Sequence, residues 1–210
     1  AGTAAIADDI NGGSVGSSPN NFAEFSSELV FQADGGSNGR ELWTFDGSSA
    51  SLAGDINSGG SSSPNSFAEY GGLLYFSALP SGFQSKLLSW NGTDQPGTVD
   101  AASTSYPGDL IEYDSKLFYR ATGGTGSELW SYNGSSEELE AEIGVGSSSG
   151  NPSDIIVFNG QLYFRASGDG SDNELWRYDG TNATEIPINA SDTADPSWLT
   201  EYDGYLYFSA

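Results

Sequence analysis

Cysteine, histidine and methionine are all missing from the 210 residues, and basic side chains are scarce, with six Lys and Arg against 29 Asp and Glu. Each shortage removes a class of function. Without Cys or His there is no disulfide frame, no thiolate or imidazole metal site, no Cys nucleophile and no His-based triad. Six scattered cations in a chain of net charge −23 cannot build the basic footprint that phosphate binding needs, which argues against nucleic acid as a partner. No apolar run approaches the roughly 18 to 20 residues of a membrane-spanning helix. Gly (29) and Ser (34) are in excess, a composition that alone would suggest disorder. The 11 Tyr, 11 Phe and 5 Trp, however, supply the apolar bulk that disordered chains lack.

A fixed period organises these residues. Pro19, Pro64, Pro107, Pro152 and Pro196 lie 45, 43, 45 and 44 residues apart, each leading into an apolar residue: Phe22, Phe67, Leu110, Ile155 and Leu199. In step with them run Leu29-Val-Phe-Gln-Ala33, Leu74-Tyr-Phe-Ser-Ala78, Leu117-Phe-Tyr-Arg-Ala121, Leu162-Tyr-Phe-Arg-Ala166 and Leu206-Tyr-Phe-Ser-Ala210. A third set appears four times, as Glu41-Leu-Trp-Thr-Phe-Asp-Gly47, Lys86-Leu-Leu-Ser-Trp-Asn-Gly92, Glu128-Leu-Trp-Ser-Tyr-Asn-Gly134 and Glu174-Leu-Trp-Arg-Tyr-Asp-Gly180. Each unit thus has four short aromatic and branched segments, a to d, broken by turn pairs, which is a strand and hairpin signature. The a–b pairs Ser26-Ser27, Gly71-Gly72, Asp114-Ser115, Asn159-Gly160 and Asp203-Gly204 and the c–d Asp-Gly and Asn-Gly pairs are expected to form tight positive-φ hairpins. Four antiparallel strands in about 44 residues match one propeller blade.

The expected fold is therefore all-β, a single β-propeller domain over 1–210 with repeats at about 20–63, 64–106, 107–151 and 152–195. The fifth repeat combines 196–210 with 1–19, giving five blades of which the last is incomplete and shared between the two ends of the chain. Strand c of that blade is missing, is supplied in trans by another chain, or lies in a longer array of which these residues are a window. The chain starts at Ala1 rather than Met and reads as a mature or partial one.

Three groups of residues invite a functional reading. Trp43, Trp130 and Trp176 share one repeat position, where Leu88 replaces the indole in the second unit. Regular Trp spacing suits sugar stacking, but a position shared by most blades usually serves packing between them. Glu24, Glu69, Glu112 and Glu201 share another position, broken only by Val157. In a closed propeller they would form a carboxylate ring that is solvated, holds a cation or supplies the acid and base of glycoside cleavage. Asp169, Ser171 and Asn173 in a b–c loop, and the repeated pairs Asp9 and Asn11, Asp55 and Asn57, place oxygens at alternate positions as calcium ligands do, without completing an EF-type loop. Asn91, Asn133, Asn182 and Asn189 begin glycosylation triplets, although Asn-Gly is also what a tight turn demands.

The c segments Glu41-Leu-Trp-Thr-Phe-Asp-Gly-Ser48, Glu128-Leu-Trp-Ser-Tyr-Asn-Gly-Ser135 and Glu174-Leu-Trp-Arg-Tyr-Asp-Gly-Thr181 resemble the ELWxxDGT repeats of secreted bacterial proteins. The second unit lacks both the Glu and the Trp of that motif. The resemblance implies propeller-like repeats in large secreted or cell-surface proteins with adhesive or matrix roles, and it transfers no catalytic residue.

The expected function is accordingly a non-catalytic, extracellular structural or adhesive module that binds a surface glycan or matrix component or assembles with itself. A calcium-stabilised binding module is the second expectation, with calcium as its cofactor, and a propeller glycosidase using paired carboxylates is the third. Secretion suits a charge of −23, because salt screens self-repulsion over a Debye length of roughly 8 Å.

Overall fold

Turn chemistry sets the first level of structure. In the computed structural model, which describes residues 5–82, 84–99, 103–146, 148–188 and 194–210, both residues of every a–b turn have positive φ, from 47° at Asp114 to 77° at Gly72. Asp, Asn, Ser and Gly tolerate that region, and its twist matches the flanking strands. The c–d turns differ from expectation. There only the Gly is left-handed (Gly47, Gly92, Gly134 and Gly180, φ 92–95°), and the Asx side chain closes the loop. Asp46 Oδ1 accepts from the Ser48 and Ser49 N–H at 2.8 and 2.9 Å, and Asn133 Oδ1 accepts from the Ser135 and Ser136 N–H at 2.9 Å each. Asn91 does the same in the second repeat, so turn geometry accounts for the first two glycosylation triplets. Asn189 lies outside the described residues.

The chain divides into two compact units, Ala1–Val99 and Asp100–Ala210. The first holds two sheets: β1 (Asn20–Phe25), β2 (Glu28–Asp34), β3 (Arg40–Phe45) and β4 (Ala50–Gly54), then β5 (Asn65–Tyr70), β6 (Leu73–Ala78), β7 (Lys86–Trp90) and β8 (Gly97–Thr98). The second holds β9 (Ser105–Tyr113), β10 (Lys116–Gly123), β11 (Gly126–Tyr132) and β12 (Glu137–Ala141), then β13 (Ser153–Phe158), β14 (Gln161–Ala166), β15 (Glu174–Tyr178) and β16 (Ala183–Ile186), and last the hairpin β17 (Ser197–Tyr202) and β18 (Tyr205–Ser209). All strand pairs are antiparallel between sequence neighbours, and no helix occurs among the described residues. These sheets are propeller blades, four complete and the fifth a two-stranded fragment. Residues 5–19 form no strand. The strand d expected in this segment is not formed among the described residues, and Asp8 Oδ2 accepts the Ala50 N–H of β4 at 2.6 Å.

Blades bury both faces, which explains why the b segments carry bulky side chains at consecutive positions. Tyr75 and Phe76 are both buried, as are Phe118 and Tyr119. Within the first unit Val30 and Leu42 of one blade pack on Leu74, Phe76, Ala78, Leu88 and Trp90 of the next. Within the second, Phe118, Leu129 and Ile143 meet Leu162, Phe164, Ala166 and Tyr178. Each such Leu or Phe contributes about 1.5–3 kcal/mol by leaving water.

The linker before each marker proline is held by three strands' worth of polar contacts. Its carbonyls accept from the end of the following b segment (Leu79 N–H to Ser62 O and Ser167 N–H to Gly150 O, both 2.8 Å), and its amides donate to the preceding c segment (Ser62 to Arg40 O, Asn151 to Ser127 O). The Glu that opens the c segment in three of the four complete repeats completes the clasp, Lys86 standing there in the second. Glu128 is fully buried, its Oε2 accepting from the Ile143 and Gly144 N–H at 2.7 and 3.2 Å and its Oε1 from Gly150 at 3.0 Å. Glu41 is equally buried, accepting from the Ile56 and Ser62 amides and the Ser62 hydroxyl. Burial pushes the Glu41 carboxyl up despite those hydrogen bonds. A linker cannot be buried with free amides, so a carboxylate at the head of strand c stabilises what would otherwise be orphaned donors.

Candidate functional site

The innermost strands carry the second recurrent backbone feature. Two residues after each marker proline the chain turns left-handed, at Asn21, Ser66, Asp109, Asp154 and Trp198 (φ 53–63°), and the a–b register shifts there in every blade. This is a β-bulge, which re-aims one side chain out of the ladder. Asn and Asp tolerate the conformation, whereas Trp is strained in it.

In the second unit the bulge residues connect neighbouring blades. Asp109 Oδ1 accepts the Asp154 N–H at 3.1 Å, and Asp154 Oδ2 accepts the Trp198 N–H at 3.3 Å. Arg120 of β10 faces Gly108, where a Cβ would fall 2.5 Å from its Nη2, and reaches Asp109 Oδ2 at 3.5 Å. Glycine at 108 therefore makes room for the guanidinium. Burial pushes the Asp109 carboxyl up, Arg120 draws it back, and the neighbouring charge of Asp154 raises it further; the net direction is up. Asp154 is solvent-exposed. Two carboxylates linked through one backbone amide thus sit in unlike surroundings, one half-buried beside an arginine and one open to water. Such a pair can divide the roles of proton donor and nucleophile or base. The equivalent arginine of the next blade, Arg165, instead pairs with Asp195 Oδ1 at 2.5 Å, and Asn173 Nδ2 donates to the same oxygen.

A second carboxylate cluster lies on β12. Glu140 accepts from Lys116 Nζ (2.7 Å), Ser131 Oγ (2.6 Å) and Tyr178 Oη (2.5 Å). Burial alone would raise Glu140, but these three donors outweigh it and hold the carboxyl low. Glu137 accepts from Tyr119 Oη and Thr104 Oγ1. These bonds tie β12 to β10, β11 and β15, so the cluster acts as a strut between strands.

The residues singled out from sequence fall in several places. Glu24, Glu69, Glu112 and Glu201 stand opposite Leu29, Leu74, Leu117 and Leu206 in their sheets, equivalent positions as expected. All four are exposed, and none has a hydrogen bond or ion pair among the described residues. No group of three or more acidic side chains close enough to hold a metal occurs among the described residues. Asp169 Oδ1 accepts from the Ser171 N–H and hydroxyl and from the Asp172 N–H, so the loop closes on its own carboxylate, while Asn173 turns to Asp195. Asn57 donates to Ser61 O at 3.1 Å within its own linker, and Asp55 Oδ1 is buried without a partner among the described residues. Asp9 is exposed, and Asn11 Oδ1 packs on Gly36.

Trp43, Trp130 and Trp176 are half-buried and pack against a glycine just beyond the b segment, so that a Cβ on Gly35, Gly123 or Gly168 would meet the indole Cζ2 at 2.8, 2.4 or 3.1 Å. Their Nε1 atoms are buried without partners among the described residues. In the second repeat, where Leu88 stands for Trp, Leu79-Pro80 occupies the place of that glycine segment. Trp176 packs against the core cluster of its unit.

Two groups were missed in the sequence reading. The c-segment glutamates Glu41, Glu128 and Glu174 read from sequence as part of a motif and not as a linker clasp, although a carboxylate repeated among apolar strand residues is a signal for one. Asp109 and Asp154 do not stand out in the sequence because their repeat position holds four kinds of side chain, with Asn21, Ser66 and Trp198 beside the two Asp; its constant distance from the proline is the signal that marks it.

No family model matches the chain, and no curated protein matches it. Among solved structures, a Bacteroides ovatus protein titled xyloglucan PUL GH43B is similar over 83% of this chain, at 13% identity and TM-score 0.46; this chain spans only 41% of its length. An α-L-arabinofuranosidase from Clostridium thermocellum is similar over 89% of this chain and 79% of its own, at 14% identity and TM-score 0.40. The expectation of a non-catalytic structural or adhesive module is withdrawn against this finding: both of these structures are of GH43 proteins, one of them an arabinofuranosidase by name, and at 13 and 14% identity the likeness carries the fold and no activity to this chain.

Proposed function

We propose that the second unit carries a glycoside-cleaving site built on Asp109 and Asp154, with Arg120 setting the charge balance between them. The observation that carries this reading is the bond from the Asp154 N–H to Asp109 Oδ1, which fixes two carboxylates of unlike environment side by side on adjacent inner strands. Asp109, raised by burial, is suited to deliver a proton to a departing glycosidic oxygen. Asp154, exposed and held from behind by Trp198 N–H, is suited to stabilise or attack the positively charged sugar centre. The paired carboxylates are thus not the repeated Glu positions anticipated from sequence but the bulge residues. A secreted or surface location suits both the substrate class and the acidic charge.

The test is hydrolysis by the purified 210-residue chain on a panel of aryl glycosides and soluble polysaccharides, with Asp109→Asn and Asp154→Asn alongside. Hydrolysis that falls by about 10²-fold or more in each variant supports the reading. Absent hydrolysis, or rates unchanged in both variants, removes it.

A further inference from the structure

Equivalent positions of the first and third blades carry different chemistry where each meets the blade after it. On the third blade Lys116, which opens strand b, places its Nζ 2.9 Å from Glu138 Oε2 and 2.7 Å from Glu140 Oε1. Ser131, and Tyr178 of the following blade, donate to the same Glu140. The chain thus supplies its own cation to this wedge. Strand register fixes the corresponding residues of the first blade. Leu29 faces Phe45 as Leu117 faces Tyr132, so Glu28 stands where Lys116 does. Thr44 faces Ser51 as Ser131 faces Glu138, and Leu52 faces Trp43 as Leu139 faces Trp130, so Ser51 and Ala53 stand for Glu138 and Glu140. Leu74 faces Trp90 as Leu162 faces Tyr178, and Trp90 takes the place of that tyrosine.

A long cation and two long carboxylates give way to one carboxylate, a hydroxyl and a methyl, and side-chain volume is lost. A cleft of about 240 Å³ stands there, with Glu28, Thr44, Asp46, Ser51, Trp90 and Thr93 in its walls and no basic residue among those that line it. Glu28 is half-buried, and its carboxylate has no hydrogen bond or ion pair among the described residues. Thr44 is only 7% exposed, and its hydroxyl likewise has no partner among the described residues. Polar side chains buried to that degree are ordinarily hydrogen-bonded. Val30, Thr44 and Ser51 form one cross-strand row, and Val30 packs in the same cluster as Trp90, which turns the Thr44 hydroxyl to the cleft side of the sheet. Asp46 Oδ1 is taken up by the Ser48 and Ser49 N–H, but its charge has no counter-ion. Trp90 donates Nε1 to Asp94 O at 2.7 Å, which leaves its ring as an apolar wall.

We infer that this cleft binds an amino sugar, a hexose ring bearing a free primary ammonium. Glu28 and Asp46 extend the Leu29–Phe45 pair by one residue, which brings both carboxylates to the turn end of the cleft, where they take the ammonium as Glu138 and Glu140 take Lys116. Charge-assisted bonds of this kind are roughly twice as strong as neutral ones. The Thr44 and Ser51 hydroxyls pair with ring hydroxyls, which a simple alkylamine would not offer them. Trp90 bounds the apolar face of the ring. An acetylated amine carries no charge and leaves the two carboxylates unbalanced, so the free amine is selected. The cleft lies within the first unit and is independent of the proposed chemistry at Asp109 and Asp154.

The experiment titrates the isotope-labelled 210-residue chain with glucosamine, N-acetylglucosamine and ethylamine at about pH 6, where the carboxylates are ionised and the amines protonated. Saturable nuclear magnetic resonance shifts are expected with glucosamine at the Thr44 and Ser51 amides and the Trp90 indole N–H. Affinity for N-acetylglucosamine and for ethylamine is expected to be about tenfold lower or less. Glu28→Gln, at a half-buried position, keeps the shape and removes the charge, and is expected to cost about tenfold or more in glucosamine affinity. Thr44→Val removes the hydroxyl alone and is expected to cost about threefold or more. Should Thr44→Val fail to fold, the Glu28→Gln titration decides by itself. No saturable shift at these three groups, equal affinity for the acetylated sugar or for ethylamine, or unchanged glucosamine affinity in Glu28→Gln overturns the site.

Discussion

Replacing Glu128 by Ala is expected to be the most damaging single carboxylate change in the second unit. The substitution removes one acceptor group and leaves the Ile143, Gly144 and Gly150 amides buried without it. An orphaned buried donor costs about 1–3 kcal/mol, and charged acceptors sit at the upper end of hydrogen-bond worth. Three donors would cost up to about 9 kcal/mol if none found water, but removing the carboxylate also relieves its own desolvation, so a net loss of about 3–5 kcal/mol is expected. In a chain of this size that lowers the melting midpoint by roughly 6–20 °C. Thermal and urea unfolding monitored by near-ultraviolet circular dichroism measure it, with Glu112→Ala, at an exposed position, as the control that stays within about 0.5 kcal/mol. Gly150→Ala strikes the same clasp, because its Cβ would come within 2.7 Å of Glu128 Oε2 and 2.6 Å of Ile143 Cβ. The two changes must therefore couple, and the double variant loses less than the sum. A Glu128→Ala protein within about 1 kcal/mol of the parent, or full additivity with Gly150→Ala, would refute the clasp.

The indole shelf makes a further prediction: Gly123→Ala destabilises by about 1–3 kcal/mol, since the new methyl meets Trp130 Cζ2 at 2.4 Å, and Trp130→Leu in the same chain recovers part of the loss, as the Leu88 repeat suggests. Equal stability of Gly123→Ala and the parent in urea would sink the argument. Acid unfolding has a defined window. Hydrogen bonds from Ser48 and Ser49 hold Asp46 at about 2, against an ordinary 3.8, and Asp169, Asp179 and Glu140 are likewise held low. Folded values below unfolded ones mean that these groups stabilise the protein above the ordinary carboxyl range and that the contribution is lost as pH falls through it towards 2. Glu41 and Asp109, raised by burial, work the other way, their contribution lost as pH rises past the ordinary carboxyl value. The melting midpoint should therefore drop between about pH 4.5 and 2. Asp46→Asn, the residue type of Asn91 and Asn133, should leave the neutral-pH midpoint nearly unchanged and shrink that drop. A midpoint flat over that range contradicts the assignment.

Period, strand content and turn positions were legible from sequence because they are local. Two left-handed residues between two aromatic segments specify a hairpin wherever they occur, and the a–b pairs from Ser26-Ser27 to Asp203-Gly204 all behaved so. The c–d turns were placed correctly, yet their closure by Asp46 or Asn133 depends on where a side-chain oxygen points, which dipeptide preference does not encode.

By itself, then, the sequence determined an all-β chain of five propeller-type repeats, because alternation, turn pairs and a 43–45-residue period each act within a few residues of their cause. Only tertiary structure decided which carboxylates matter. Glu41 and Glu24 both recur on strands and look alike in sequence, but one lies beneath a folded linker and the other faces water. Asp109 and Asp154 stand 45 residues apart, and the hydrogen bond that joins them exists only because adjacent blades bring two bulges to one place. Burial and proximity arise from the packing of distant segments, and the electrostatics of a site follow from both.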